Sequence, residues 1–298
     1  MSTLAAALAA GPVVLDGGLS TELEARGHDV TSALWSARLL RDDPGAVRDA
    51  HAAFAAAGAQ VATTASYQAT VPGFEAAGFD DARGLIARSV QLAREGAPGS
   101  WVAGSVGPYG AYLADGSEYT GAYLDDVSID ELRAFHRPRL ATLVEAGVDV
   151  LALETLPGAA EVEALLAEVT ALDAPAWVSV SAVTGPDGVT RTRRGEPLSD
   201  VLGMTRGIDQ VVAVGVNCTD PAAVVPAVVW ARVSSGKPVV VYPNSGETWD
   251  ADARAWTGTP GVGDVSAWLS AGARLVGGCC RVRPDDVAAI AATVAGKV

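Results

Sequence analysis

The chain has 298 residues, 49% of them hydrophobic, and sets 21 Lys and Arg against 35 Asp and Glu for a formal charge of −14. So acidic a composition predicts no nucleic-acid or anionic-membrane partner, since both need clustered basic residues, and no apolar run approaches the length of a membrane span. Three cysteines, few and odd in number, do not make a disulfide framework and fit a reducing compartment, the cytoplasm by default.

The opening MSTLAAALAAGP lacks a basic n-region and runs straight into an apolar strand, so it reads as a short first helix. Apolar runs with strand character follow at VVLDGG (13–18), AQVATTASY (59–67), WVAGSVGP (101–108) and VDVLALETL (148–156). Four more stand at AWVSVSA (176–182), VVAVGVNCT (211–219), PVVVYPNSG (238–246) and ARLVGGCC (273–280). Helical periodicity separates most of them, clearest in AVRDAHAAFAAAG, ELRAFHRPRLATLVEAG, AAEVEALLAEV and PDDVAAIAATVAG. Asp43 before Pro44 is placed to cap the first of these helices, and Ser128 with Glu131 forms an S-x-x-E capping box at the second. Eight β-then-α units with right-handed crossovers close most simply as a single-domain (β/α)8 TIM-type barrel over residues 1–298. A doubly wound open sheet is the alternative, although no GxGxxG turn follows the first strand.

Polar residues gather at the carboxyl ends of the strands, where barrel chemistry belongs: Asp16, Thr64, Tyr67, Glu154, Asn217, Cys218, Asn244, Cys279 and Cys280. A long segment without periodicity, residues 110–126, carries Tyr112, Tyr119 and Tyr123 and is placed to cover that face. Cys218 ends GVNC and the pair Cys279–Cys280 ends GGCC. Strands six and eight lie two apart in an eight-strand ring, so these thiols converge as ligands for a soft metal such as zinc, with one coordination position left open. A vicinal disulfide between Cys279 and Cys280 is the other reading, and it leaves Cys218 without a role. Zinc with three thiolates is a weak Lewis acid but suits activation of a substrate thiol, so the substrate should bring a sulfur.

Glu154, among apolar neighbours in LALETL, needs a cation or hydrogen-bond donors, either from a barrel salt bridge or from a substrate. Asp16 adjoins Gly17 and Gly18, whose backbone N–H groups form a candidate nest for a carboxylate. Two acids for an ammonium and a nest for a carboxylate describe an amino-acid pocket beside the metal. Tyr67, Tyr109 and Tyr112 are candidates to surround a cation. His28, His51 and His136 read as surface or packing residues, and no catalytic triad is evident.

The motifs LDGGLSTELEARG, TTASYQA, GSVGPYGAYLADGSEY, ETLP, GVNC, VVYPNSGE and GARLVGGCCR, which span nearly the whole chain, resemble those of the zinc-dependent homocysteine S-methyltransferases. GSVGPYGAYLADGSEY and VVYPNSGE resemble most the branch that uses S-methylmethionine, and to some extent S-adenosylmethionine. The resemblance implies Cys218, Cys279 and Cys280 as zinc ligands, and a homocysteine pocket formed by Asp16, Gly17, Gly18 and Glu154; Asn217 and Tyr67, at strand ends on the same face, are further substrate-binding candidates. It implies small-molecule partners only, homocysteine and a sulfonium methyl donor. A sulfonium leaves as a neutral thioether and needs no general acid, in keeping with the lack of an evident one. Betaine or methyltetrahydrofolate as donor and selenocysteine as acceptor are the alternatives within the enzyme class; Thr155 stands where the betaine-using branch would be expected to have tyrosine. Outside that class, the rival is a zinc-binding or redox-sensing barrel without turnover.

Overall fold

Strands buried on both faces of a parallel sheet must be nearly continuous in apolar residues, and all eight such runs form strands. The computed structural model describes residues 2–32, 34–250, 255–257 and 260–296. The strands are β1 (Val13–Val14), β2 (Val61–Thr63), β3 (Trp101–Val106), β4 (Val150–Leu156), β5 (Ala176–Val180), β6 (Val211–Asn217), β7 (Val239–Tyr242) and β8 (Ala273–Val276). They run parallel in the order β1-β8-β7-β6-β5-β4-β3-β2. A bridge between Leu15 and Val61 closes the ring. At that seam Gln60 stands in for missing ladder: its N–H donates to the Val14 carbonyl at 2.8 Å and its Oε1 accepts from Val14 N at 3.0 Å.

Two apolar layers hold the barrel. Inside the ring, Val13, Leu15, Val61, Ala103, Trp177 and Leu275 pack together with Leu4 and Leu8 of the first helix, Leu4–Ala10. That helix plugs the amino-terminal end of the barrel, and Trp101 Nε1 donates to the Ser2 carbonyl at 2.9 Å to anchor it. Outside the ring, the other strand faces meet helices such as Pro44–Ala56, Ala82–Gly96, Ile129–Glu145 and Ala159–Leu172. The two expected N-caps are in place. Asp43 Oδ1 accepts from Ala46 N at 3.1 Å, and Ser128 Oγ and Glu131 Oε2 accept from each other's backbone N–H at 3.3 and 2.9 Å.

Every strand begins within two residues of its expected start, but seven of the eight stop short of their expected ends. The polar residues that finish those runs leave the ladder to line one face of the ring. No helix among the described residues is long and apolar enough to cross a membrane.

Candidate active site and metal centre

The carboxyl ends of the strands surround one cavity, and Asp16, Tyr67, Glu154, Asn217, Cys218, Cys279 and Cys280 all line it. The sulfur atoms of the three cysteines lie within 4.8 Å of one another. Backbone bonds fix them there. Cys218 N donates to the Tyr242 carbonyl at 3.3 Å, Cys279 N to the Pro243 carbonyl at 2.8 Å, and the Cys280 carbonyl accepts from Ser245 N at 3.1 Å, so the β7 end ties the β6 and β8 ends together. Hydrogen bonds from Cys218 and Cys279 push the Cys280 thiol down in pKa and leave the other two raised, so the cluster readily carries a thiolate.

Asp16 is buried, and both its oxygens are used by one residue: Oδ2 accepts from Thr63 N at 2.6 Å and Oδ1 from Thr63 Oγ1 at 2.8 Å. Glu154 accepts from Ser105 Oγ. Burial raises each carboxyl to about 7 against these hydrogen bonds. The buried Arg139 draws Glu154 partly back down, but it bonds elsewhere, to the Tyr67 and Gly107 carbonyls at 2.8 and 2.6 Å.

Asn217 spends its amide on the protein. Its Oδ1 accepts from Thr155 N at 2.7 Å and Ser179 Oγ at 2.8 Å, and its Nδ2 donates to Thr155 Oγ1 at 2.7 Å. It thereby braces the residues beside Glu154 and Cys218. Gly17 and Gly18 serve close approach: a Cβ on Gly18 would meet the Cys279 carbonyl at 2.5 Å. The expected nest of free amides does not hold at Gly18, whose N–H donates to the Val282 carbonyl at 2.9 Å. The first turn of the helix Leu19–Ala25 lines the cavity immediately afterwards.

Four aromatic residues complete the lining, Trp35, Tyr67, Tyr119 and Tyr242. Trp35 and Tyr67 stack with centroids 6.2 Å apart and planes 27° from parallel. Tyr109 and Tyr112, expected beside them, instead pack on Phe135 at 4.8 and 5.4 Å and are absent from the lining. The segment 110–126 does reach the cavity, but through Tyr119. It folds as the end of a helix, Tyr109–Leu113, and two 3-10 turns, Ser117–Tyr119 and Ala122–Asp125. A hairpin after β5 (Ala182–Thr184 with Thr190–Thr192) holds it from outside, with Arg193 over the Tyr119 ring and Arg194 paired to Asp125 at 2.6 Å.

Backbone strain collects here. Trp35, Thr155 and Cys218 have φ of 46°, 61° and 46°, a left-handed conformation that costs non-glycine residues about 1–3 kcal/mol each, and all three line the cavity. Trp35, Ser105 and Thr63 were missed in the sequence because no local pattern marks a residue whose role depends on which strand end it meets. His51 and His136 are packing residues, both fully buried. His136 Nδ1 accepts from Arg139 at 2.9 Å, so its Nε2 donates to Glu161 at 2.8 Å.

Comparison with known proteins leads to one family. The sequence profile of the family Homocysteine S-methyltransferase matches residues 13–294. The homocysteine S-methyltransferase of Escherichia coli K12 is 45% identical, with 94% of each chain covered. The selenocysteine methyltransferase of Astragalus bisulcatus is 39% identical over 93% of this chain and 90% of its own. The crystal structure of the Escherichia coli homocysteine methyltransferase in its metallated form superposes with a TM-score of 0.82 at 43% identity, covering 95% of this chain and 96% of that one. Matched from the first strand to the last helix in sequence and along nearly its whole length in fold, the chain belongs to the homocysteine S-methyltransferase family.

Proposed function

We propose that the protein transfers a methyl group from S-methylmethionine to the sulfur of L-homocysteine, forming methionine, with zinc held by Cys218, Cys279 and Cys280. The observation that carries this reading is the convergence of three thiols, within 4.8 Å of one another, on a cavity that also holds two desolvated carboxylates. A soft, thiolate-prone donor set of this kind fits zinc. Bound there, zinc would keep the homocysteine sulfur as a thiolate that stays nucleophilic at neutral pH. With Cys218, Cys279 and Cys280 holding the metal, a position would remain for that sulfur.

Glu154 and Asp16 take the homocysteine ammonium, which relieves the cost of burying them without a cation. The first turn of Leu19–Ala25 offers backbone amides to its carboxylate. Asn217 does not touch substrate in this reading; it fixes the strand ends that carry Glu154 and Cys218. Trp35, Tyr67 and Tyr119 surround the sulfonium of the donor, where aromatic faces attract a cation. The homocysteine sulfur forms the new S–CH3 bond as the sulfonium C–S bond breaks. The departing thioether keeps that electron pair and leaves neutral, so no residue has to deliver a proton. The thiol proton is released to solvent when homocysteine binds. The remaining contribution is alignment of the two sulfurs in line with the methyl carbon. Site thiols of this kind need a reducing compartment such as the cytoplasm.

A donor panel tests the reading. With homocysteine fixed, kcat/KM for methionine formation is measured with S-methylmethionine, S-adenosylmethionine, betaine and methyltetrahydrofolate. S-Methylmethionine should lead, and S-adenosylmethionine should be poorer because its adenosyl group must fit beneath residues 110–126. A lead for betaine or methyltetrahydrofolate over both sulfoniums overturns the donor assignment. A protein that binds zinc but turns over none of the four, with homocysteine or selenocysteine, overturns the enzyme itself.

A further inference from the structure

Two buried acceptors beside the cavity have no use in the chemistry above. Gln68 lines the cavity and is 4% exposed. Its Nε2 donates to the Ala111 carbonyl at 2.8 Å, which fixes the orientation of the amide, and its Oε1 has no hydrogen-bond partner. Glu118 is 5% exposed, and its Oε2 is likewise buried without a partner.

Both residues flank one short helix, Tyr109–Leu113. Gln68 bonds its Ala111, while the Ser117–Glu118 backbone packs so closely on its Gly110 that a Cβ there would meet Glu118 N at 2.5 Å. The next residue, Tyr119, lines the cavity, and the Glu118 carboxyl lies near enough to Tyr67 and Cys280 for their charges to interact. A buried carboxylate without a cation and an amide carbonyl without a donor are each unfavourable, and one group bearing both positive charge and N–H bonds offsets both. Burial pushes the Glu118 carboxyl up from its usual range, as expected of a group that lacks such a guest.

Building on the methyl-transfer reading, we propose that Glu118, together with Gln68, binds the ammonium group of a sulfonium amino-acid donor, and so selects donors that carry a primary amine. Donor and acceptor are then both amino acids in one cavity, each with its own carboxylate: Glu118 for the donor, Glu154 with Asp16 for the acceptor. A quaternary ammonium such as betaine has no N–H to offer either orphan atom.

The test compares two sulfoniums in the zinc-loaded enzyme, S-methylmethionine and dimethylsulfoniopropionate, which lacks the amine, in the wild type and in Glu118→Gln. The wild type should favour S-methylmethionine by about tenfold or more in kcat/KM, the worth of a hydrogen bond to a charged group. Glu118→Gln should narrow that preference at least tenfold through donor KM, with homocysteine KM, zinc content and unfolding midpoint unchanged. Equal kcat/KM for the two donors in the wild type overturns the assignment however the variant folds. An undiminished preference in a folded Glu118→Gln also overturns it. If neither sulfonium yields methionine while betaine or methyltetrahydrofolate does, the donor reading itself fails, and this assignment with it.

Discussion

Asn217 and Thr155 hold one another across two strand ends: the Asn217 Oδ1 accepts the Thr155 N–H at 2.7 Å, and its Nδ2 returns a bond to Thr155 Oγ1 at 2.7 Å. Each neighbours a candidate site residue, Cys218 and Glu154, and Thr155 sits in a left-handed conformation with φ of 61°. The reciprocal pair keeps that strained turn in place. Asn217→Ala leaves the Thr155 N–H and the Ser179 hydroxyl without their acceptor, and is expected to cost about 2–4 kcal/mol in urea unfolding. In a double-mutant cycle with Thr155→Ala the two changes should couple by about 1 kcal/mol. Simple additivity would show the bonds to be incidental.

The thiol cluster gives the most direct prediction. Purified protein should carry about one zinc per chain, and serine at Cys218, Cys279 or Cys280 should each remove most of it. Atomic emission after dialysis measures this. Stoichiometric zinc retained in all three variants would remove the proposed centre.

Glu154→Gln keeps the shape of the side chain and its contact with Ser105 but removes the charge. The KM for homocysteine should rise by an amount equivalent to about 1.5–3 kcal/mol, with zinc content unaffected. Unchanged kinetics would assign Glu154 to the architecture of the barrel alone.

His51 predicts a pH effect on stability away from the site. It is fully buried, neither ring nitrogen has a hydrogen-bond partner, and burial lowers its pKa from 6.5 to about 4. The unfolded chain therefore takes the proton first as pH falls, so stability is intact above about pH 6.5 and is lost progressively toward pH 4. The gap amounts to about 3 kcal/mol. His51→Leu should match the wild type within about 1 kcal/mol at pH 7, since no hydrogen bond is lost and the volumes are similar. Between pH 6.5 and 4 it should lose less stability than the wild type. Parallel acid-side curves for the two proteins would contradict this.

The barrel was readable in the sequence because burial on both faces leaves a parallel strand little choice but Val, Leu, Ile and Ala, as in VLALETL and VVAVGVN. Asp43 and Ser128 were readable for a local reason: a cap needs only its own first turn. The cysteines could be brought together from topology alone, because GVNC and GGCC end strands at known places in the ring. Distances across the site were not encoded so locally. Tyr109 and Tyr112 have the right chemistry for a cation but belong to a helix that turns them onto Phe135. Trp35 opens a short 3-10 helix, Trp35–Arg38, in a stretch without periodicity, and its place against Tyr67 depends on a φ of 46° that no residue pattern announces. Gly18 was right in position and wrong in use, because its amide meets Val282, a residue distant in the chain.

The pairing of β1 with β8, Val13 opposite Leu275, has a consequence for how the protein is made. On the ribosome β1 emerges before any other strand, and the neighbour that completes its ladder emerges after all the others, so the ring cannot close as it is synthesised. The chelating group is subject to the same delay. Until translation passes residue 280, Cys218 is a thiol without companions, unable to hold a metal and open to oxidants. A metal held by all three cysteines would therefore be acquired only after nearly the whole chain has been made.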